Sequence, residues 1–348
     1  MTLATSDSGL DLDQTEELVL VHDRATGLGV AVAIDDTTLG PAIGGIRWRN
    51  YDDEASAITE ARRLARVMTL KSSVAGIPSG GAKSVVFRPD PVVDPAKRRS
   101  LMEGFGRVVR RLDGRYVPGL DMGTALDDLR VIGTQAPDIC VLEPSEQTSV
   151  GVFAGIIAVA AQRWGTDLDG HSVLIQGVGH VGAGLAVLLA SAGVSVTVAD
   201  VDDTRAQRVA REVNGSTIDP RNVLGYPCDI YAPCAIGRLV DSQTVGGFNC
   251  GIIAGAANDV LAHRECAALL MERGIDYVPD FLINSGGVIA IHAARAGWDA
   301  RRLSEAVAAI GGRVSEVFRR SSASGQTPLV IAETMASERL GHAVSVPD

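Results

Sequence analysis

The sequence is poor in lysine: of its 32 basic residues only Lys71, Lys83 and Lys97 are lysine, and the rest are arginine. It lacks any run of about 18 consecutive apolar residues, so no segment reads as a membrane span. Positive charge is not in excess either. The formal charge of −10 and pI near 5.1 create a field that repels polyanions, which excludes nucleic acid and anionic membranes as expected partners. The five cysteines, Cys140, Cys228, Cys234, Cys250 and Cys266, include no Cys-x-x-Cys pair. Neither a metal-ligand spacing nor a dithiol redox motif is therefore expected, and the thiols read as reduced residues of a cytoplasmic protein. The opening MTLATSDSGLDLDQTEE is polar and acidic where a secretory signal is basic and then apolar, in keeping with that location. Internal repeats and low-complexity tracts are also missing. Small molecules and sister subunits remain as partners, with a homo-oligomer expected and no metal.

What is present is enough apolar material, 46% of 348 residues, for two hydrophobic cores. The first half opens on β-patterned runs at Glu17–Val21 and Gly27–Ile34, which suggest a hairpin leading into a glycine turn in TTLGPAIGGIRW. Apolar residues then recur at helical spacing over Asp53–Met68, followed by a glycine loop, VAGIPSGGA, and a short buried strand at Ser84–Phe87. A helix over Pro95–Arg111, a strand at YVPG and a further helical stretch from Asp121 to Ile132 complete this half. After a polar, proline-bearing segment the pattern alternates strictly: helix Val152–Trp164, strand Ser172–Gln176, helix His180–Ala192, strand Val194–Ala199. Such alternation signals a parallel, doubly wound sheet. Further strands are expected at Asp229–Tyr231, Gly251–Ala254 and Asp276–Val278, with a long helix over about Arg302–Ser321. The fold class is thus α/β, with an N-terminal α/β catalytic domain over 1–140 and a Rossmann-type domain over 141–322. The boundary lies near 135–150, and a C-terminal helix over about 323–348 is expected to pack back on the first domain.

Between the strand SVLIQ and an amphipathic helix stands Gly177-Val178-Gly179-His180-Val181-Gly182. In that context the first glycine permits a tight turn, the second lets backbone approach a pyrophosphate, and the third lets helix pack on strand. The helix N-terminus favours the phosphate charge. Asp200 closes the next strand about twenty residues on, where a carboxylate can accept hydrogen bonds from ribose hydroxyls and repel a 2′-phosphate. NAD is the expected cofactor.

Hydride transfer to a dinucleotide from a substrate that must also lose a proton needs a base that is neutral at working pH. Lysine can serve, since burial or a neighbouring cation lowers its pKa, whereas arginine stays protonated. In a chain that has so little lysine, Lys71 and Lys83 both flank the glycine-containing loop. Lys97, in the polar PAKRRS, reads as a surface residue. Asp121, in YVPGLDMGT just beyond a strand, is the acid placed to exchange protons with a substrate amine.

In LGPAIGGIR (Leu39–Arg47), MTLKSSVAGIPSGGAKSVV (Met68–Val86), DMGT (Asp121–Thr124), GVGHVG, IYAPCAIG (Ile230–Gly237), AGAAND (Ala254–Asp259) and PDFLINSGGVI (Pro279–Ile289) the chain resembles the glutamate, leucine, phenylalanine and valine dehydrogenases, above all the leucine/phenylalanine/valine branch. The resemblance implies oxidative deamination of an apolar L-amino acid, through an imine and a carbinolamine, in a cleft between the two domains. It implies that Lys71 binds the substrate carboxylate with backbone help from Gly44 and Gly45, that Lys83 activates water and polarises the carbonyl, and that Asp121 exchanges protons with the amine. On the cofactor side it adds Ala232, Pro233, Cys234, Ala256, Asn258 and Asn284 to Gly177, Gly179, His180, Val181, Gly182 and Asp200, with Asn258 near both nicotinamide ribose and substrate. The pocket lining carried over is Ile43, Gly119, Val288 and Ile291, which offers a glutamate side chain no cation. Glycine at 119 leaves more room than alanine and leans the reading toward phenylalanine or another bulky side chain, although one methyl group is worth only about 1 kcal/mol.

Three positions depart from the family pattern: Ala82 in place of a third glycine, Asp259 in place of a second asparagine, and Ser285 within NSGG. The 125–150 segment is also shorter than the resemblance leads one to expect. Alternatives within the class are a tryptophan-type enzyme or a biosynthetic reductive aminase. Outside it stand a malic-type dehydrogenase, which needs clustered carboxylates for a metal, and a non-catalytic NAD-binding regulator, which needs neither Lys83 nor Asp121.

Overall fold

The structure, a computed structural model, describes residues 15–87, 94–137, 139, 141–165, 168–235 and 237–341. Cys140 and the last residues of the expected C-terminal helix lie outside these. The elements in chain order are β1 (Glu17–Asp23), β2 (Leu28–Asp36), β3 (Ala42–Trp48), α1 (Glu54–Val74), β4 (Gly80–Phe87), α2 (Pro95–Arg111), β5 (Tyr116–Leu120) and α3 (Leu126–Gly133). There follow α4 (Ser145–Trp164), β6 (Ser172–Gln176), α5 (His180–Ser191), β7 (Ser195–Ala199), α6 (Asp203–Glu212), β8 (Ser216–Thr217), β9 (Ile230–Pro233), β10 (Ile252–Ile253) and α7 (Cys266–Glu272). The chain closes with β11 (Asp276–Tyr277), α8 (Asp280–Ile283), α9 (Gly286–Arg295), α10 (Ala300–Ser324) and α11 (Pro328–Leu340). The contacts divide the chain into two compact units. One holds the residues up to Glu143 together with Ile291–Trp298 and those from Ala336 on, and the other holds Pro144–Ala290 and Asp299–Met335.

The first unit is built on a five-stranded sheet in the order β1-β2-β4-β3-β5. Its first three neighbours pair antiparallel, and β3 pairs parallel with both β4 and β5. One face carries the large side chains Val30, Val32, Ile34, Ile46 and Val86, which bury against Met102, Phe105, Leu129 and Ile132 of α2 and α3. The opposite face presents Ala31, Ala33 and Val85 to Ala57, Ala61 and Ala65 of α1. Alanine on both sides lets α1 lie close to the strands, and at Gly81 a β-carbon would overlap the backbone of Thr69. Ala82, by contrast, turns to the other face and packs in the α2/α3 core, which explains why alanine is accepted there.

Four local expectations change. Residues 80–83 are not the end of a loop but the first half of β4, and Gly44 and Gly45 lie within β3 rather than in a turn. In both places glycine answers to close backbone approach rather than to chain reversal: a β-carbon on Gly44 would overlap the Ala82 carbonyl, and one on Gly80 the Asp36 carbonyl. The helix expected from Asp121 starts only at Leu126, because DMGT forms a turn closed by the Thr124 N–H on the Asp121 carbonyl (3.1 Å). The helix α1 runs on to Val74 and so includes Lys71.

The second unit holds a six-stranded sheet, parallel throughout, in the order β11-β10-β9-β6-β7-β8. From β6 the chain steps outward through β7 and β8, then returns to the other side of β6 and steps out through β9, β10 and β11. This is the Rossmann order; in sheets of this kind ligands bind beyond the carboxyl ends of the strands at the reversal, here between β6 and β9. No helix among the described residues is long and apolar enough to cross a membrane.

Candidate active site

Strand alternation decides which side chains share a face. On the α1 side of the first sheet stand Ile43, Gly45 and Arg47 of β3, Lys83 of β4, and Gly119 with the following Asp121 at the end of β5. Lys83, paired in register with Ala33 on β2, is 6% exposed. Its Nζ lies 2.8 Å from Asp121 Oδ2. A β-carbon on Gly45 would come within 3.1 Å of Lys83 Nζ and 2.8 Å of Asp121 Cβ, so Gly45 preserves the space in which the two charges meet.

The same carboxylate oxygen accepts from Arg47 Nε at 2.8 Å, and Arg47 Nη1 donates to Glu60 Oε1 of α1 at 2.6 Å. Glu60 in turn is held by Arg63 at 3.2 Å. Burial pushes the Lys83 ammonium below its ordinary pKa; the Asp121 charge works against this and Arg47 works with it. Burial alone would raise the Asp121 carboxyl, but Lys83 and Arg47 outweigh it and hold the group well below the usual range. The Asp121 backbone N–H donates to Thr124 Oγ1 (3.0 Å), which donates to the Ile46 carbonyl (3.0 Å). Beneath the glycine pair, the buried Tyr116 hydroxyl donates to the Gly44 carbonyl at 3.0 Å and lies 2.9 Å from Ser84 Oγ.

Lys71 sits buried in the last turn of α1. The end of that helix is tied down by the C-terminal segment: Ser73 Oγ donates to the Ala336 carbonyl (2.7 Å), and Arg339 Nη1 donates to the carbonyls of Ser73 (3.1 Å) and Ile77 (2.8 Å). Ile43 is buried on the same face as Lys83, and Ile291 Cδ1 lies 3.2 Å from where a β-carbon on Gly119 would stand. The room that glycine leaves at 119 is therefore taken up by a methyl group of Ile291.

In the second unit Gly177 and Gly182 sit where a turn and close packing leave no room for a side chain. Gly177 has φ +92° and no room for a side chain beside Ala235, while Gly182 packs against the Gly177 carbonyl. Among the described residues nothing lies within 4 Å of a β-carbon on Gly179, and α5 begins beside it with exposed His180 and half-buried Val181. Asp200 is 6% exposed; its Oδ2 accepts from the Val178 N–H (2.8 Å) and its Oδ1 from the Asp202 N–H (2.9 Å), with Arg205 Nη1 at 3.4 Å. The carboxylate thus braces the glycine loop itself.

Ala232 and Pro233 close β9 beside the loop, where the Cys234 N–H donates to the Gln176 carbonyl (2.7 Å) and burial pushes the Cys234 thiol up to about 12, keeping it neutral. Asn284 Nδ2 donates to the Ala256 carbonyl (3.1 Å) and to Asn258 Oδ1 (3.0 Å), which joins three expected cofactor residues. Among the described residues the buried Asn284 Oδ1 has no partner, an acceptor that suits an amide donor of a bound nicotinamide. Val288 is buried in this unit on α9. Asp259 occupies a left-handed conformation, φ +53°, and its carbonyl receives the Arg238 N–H (2.5 Å); aspartate tolerates that backbone as asparagine does. Among the described residues no group of three or more His, Cys, Asp or Glu could hold a metal ion.

Lys83 and Asp121 are thus brought together, as are Asn258 and Asn284. Arg47, Glu60, Thr124 and Tyr116 were not singled out by sequence reasoning. Arg47 shares the face of Gly45 on β3, but a glycine pair that looks like a turn in the sequence hides that relation.

Comparison with known proteins follows the same division. A family model described as "Glu/Leu/Phe/Val dehydrogenase, dimerisation domain" matches residues 25–137, and one described as "Glutamate/Leucine/Phenylalanine/Valine dehydrogenase" matches 198–337. A leucine dehydrogenase of Bacillus cereus is 36% identical over 93% of this chain and 90% of its own. A phenylalanine dehydrogenase of Thermoactinomyces intermedius is 34% identical over 93% and 91%. The crystal structure of L-tryptophan dehydrogenase from Nostoc punctiforme superposes with a TM-score of 0.81 at 34% identity, covering 94% of this chain and 96% of that one.

Proposed function

Because the chain belongs to the Glu/Leu/Phe/Val dehydrogenase family and is an oxidoreductase of the amino-acid dehydrogenase kind, we propose that it reversibly deaminates an apolar L-amino acid to its 2-oxo acid and ammonium with NAD. The observation that carries this is the buried Lys83–Asp121 pair, 2.8 Å apart across the gap left by Gly45. Lys71, with the backbone of Gly44 and Gly45, receives the substrate carboxylate. Lys83, whose ammonium is destabilised by burial, gives up its proton to act as base toward the attacking water and, reprotonated, polarises the carbonyl or imine. Asp121 exchanges protons with the amine as the substrate passes through its imine and carbinolamine.

The residues of the second unit suit a nicotinamide dinucleotide: Gly179 adds no side chain at the start of α5, Asn284 Oδ1 is a buried acceptor without a partner among the described residues, Ala232 and Pro233 end β9 with Cys234 next to it, and Ala256 and Asn258 accept from Asn284. Bound there, the cofactor supplies the hydride acceptor. Asp200 and Asp202 at the end of β7 put two carboxylates where a 2′-phosphate would arrive, and Arg205, paired with both, offsets them only in part. This supports NAD over NADP.

Ile43, Ile291 and Val288 support an uncharged side chain. Gly119 alone favours a bulky one, but Ile291 Cδ1 beside it reduces the depth gained, which supports branched aliphatic side chains with phenylalanine as the competitor. The position of β1 at an edge of its sheet and the match to a dimerisation-domain model support a homo-oligomer, since edge strands can pair with another chain.

The test is NADH or NADPH oxidation with ammonium and a panel of oxo acids: 3-methyl-2-oxobutanoate, 4-methyl-2-oxopentanoate, phenylpyruvate, indolepyruvate and 2-oxoglutarate. Turnover with NADH and one of the first three is expected. Turnover with none, or a preference for 2-oxoglutarate, overturns the reading.

A further inference from the structure

Among the described residues Arg47 is the one charged side chain seen to touch the Lys83–Asp121 pair without having a part in the reaction as described. Its guanidinium is buried, with 12% of the side chain exposed. One edge meets Asp121 Oδ2, the oxygen that Lys83 also uses, and the other meets Glu60 of α1. Asp121 Oδ1 has no hydrogen bond to any described residue, so the carboxylate is pinned by one oxygen and presents the other. We propose that Arg47 is a positioning residue for the reaction: tied to Glu60, it holds Asp121 through Oδ2, keeps Oδ1 turned toward the substrate amine, and divides the Asp121 charge between two cations.

The proposal rests on the amino-acid dehydrogenase reading and deepens it. Three features support the arrangement. The guanidinium fork can meet two carboxylates at once in fixed geometry, which an ammonium cannot. Glu60 belongs to the helix that also carries Lys71, so the same ion pairs tie α1 to the end of β5. Thr124 fixes the Asp121 backbone, leaving Arg47 to fix the side chain.

The charged groups facing Lys83 are Asp121 after β5, Arg47 on β3 and Glu60 on α1. Arg47 repels the Lys83 proton, whereas Asp121 and Glu60 attract it. Removing Arg47 leaves both carboxylates acting on Lys83, so its titration midpoint must rise; removing the Glu60 charge must lower it. Opposite signs from two adjacent substitutions distinguish this device from general loosening of the fold.

With only three lysines, protein labelled with ¹⁵N at lysine Nζ gives few side-chain signals, assignable by Lys71→Arg and Lys97→Arg. The Lys83 midpoint is expected to move up by about one unit in Arg47→Gln, down by a smaller amount in Glu60→Gln, and to stay near the wild-type value in Arg47→Lys. In turnover assays Arg47→Gln should lower kcat about tenfold to a hundredfold with a smaller change in KM, and the acid limb of its kcat/KM profile should shift up with the Lys83 midpoint. Arg47→Lys should restore the profile but not the full kcat. An unmoved Lys83 midpoint in Arg47→Gln, or, if that variant does not fold, an unmoved or raised midpoint in Glu60→Gln, overturns the proposal. The titration needs no substrate, so absence of turnover in the wild type would refute the reaction reading while leaving Arg47 to be decided by its own measurement.

Discussion

Lys83 and Asp121 are each half of a pair that neither environment alone would tolerate. A buried ammonium or carboxylate is costly, and removing one partner strands the other. Here Asp121 has a second cation, so Lys83→Ala leaves its charge compensated by Arg47. The variant should fold with a near wild-type urea midpoint and lose about 10²- to 10⁴-fold in kcat; near-normal turnover would remove Lys83 from the base role. The titrations also have definite signs. Asp121 is held below its ordinary value of 3.8, so its contribution to stability is fully present above that value and is lost as the pH falls below it. Lys83 is held below its ordinary 10.5, so stability rises as the pH climbs from the folded midpoint toward that value, and deamination rises with pH through the same folded midpoint. Urea midpoints measured across pH should fall less steeply on acidification in Asp121→Asn than in the wild type; equal slopes would contradict the pairing. At this scale the two lysines stood out because arginine has taken nearly every other basic position, and Asp121 because it follows a strand in YVPGLDMGT. Arg47 and Glu60 were not, because nothing in one-dimensional spacing says which arginine of many faces a carboxylate.

At the scale of elements, glycine was the residue most easily misread. Gly80-Gly81 and Gly44-Gly45 look like turn signals, yet both pairs lie inside strands, where they admit a helix backbone, a neighbouring carbonyl and the Lys83–Asp121 pair. The parallel β4-β3-β5 arrangement that gathers these residues on one face was not visible in the hydrophobic pattern, which records burial but not strand order. The Rossmann unit was easier to read, since Gly177, Gly179 and Gly182 stand in register with a strand, a helix and Asp200. A side chain at Gly81 must push α1 off the sheet, because the atom it meets is the Thr69 backbone rather than a flexible side-chain end. Gly81→Ala should cost about 1–3 kcal/mol in urea unfolding and lower kcat/KM by displacing Lys71 and Glu60 together. A cost within a few tenths of a kcal/mol would show that α1 does not rest on β4 as described.

At the scale of the molecule, two units with separate cores divide the work that the sequence motifs suggested, while Ile291–Trp298 and the residues from Ala336 on return to the first. On the proposed assignment dinucleotide binding falls to the second unit, and NADH at about 100 times its dissociation constant should stabilise the folded protein by about 2.7 kcal/mol. NADPH at the same concentration should do less, as a thermal scan will read. Equal stabilisation by the two would remove Asp200 and Asp202 as the source of preference. The central claim, that this chain joins ammonium to the carbonyl carbon of an apolar 2-oxo acid, is tested most directly by isotope. Incubated with NADH, 4-methyl-2-oxopentanoate and ¹⁵N-ammonium, the protein should form leucine carrying ¹⁵N at its amino group, in amounts equal to the NADH oxidised, and Lys83→Ala should form almost none. NADH oxidation without labelled amino acid, or labelled product undiminished in Lys83→Ala, would contradict the account.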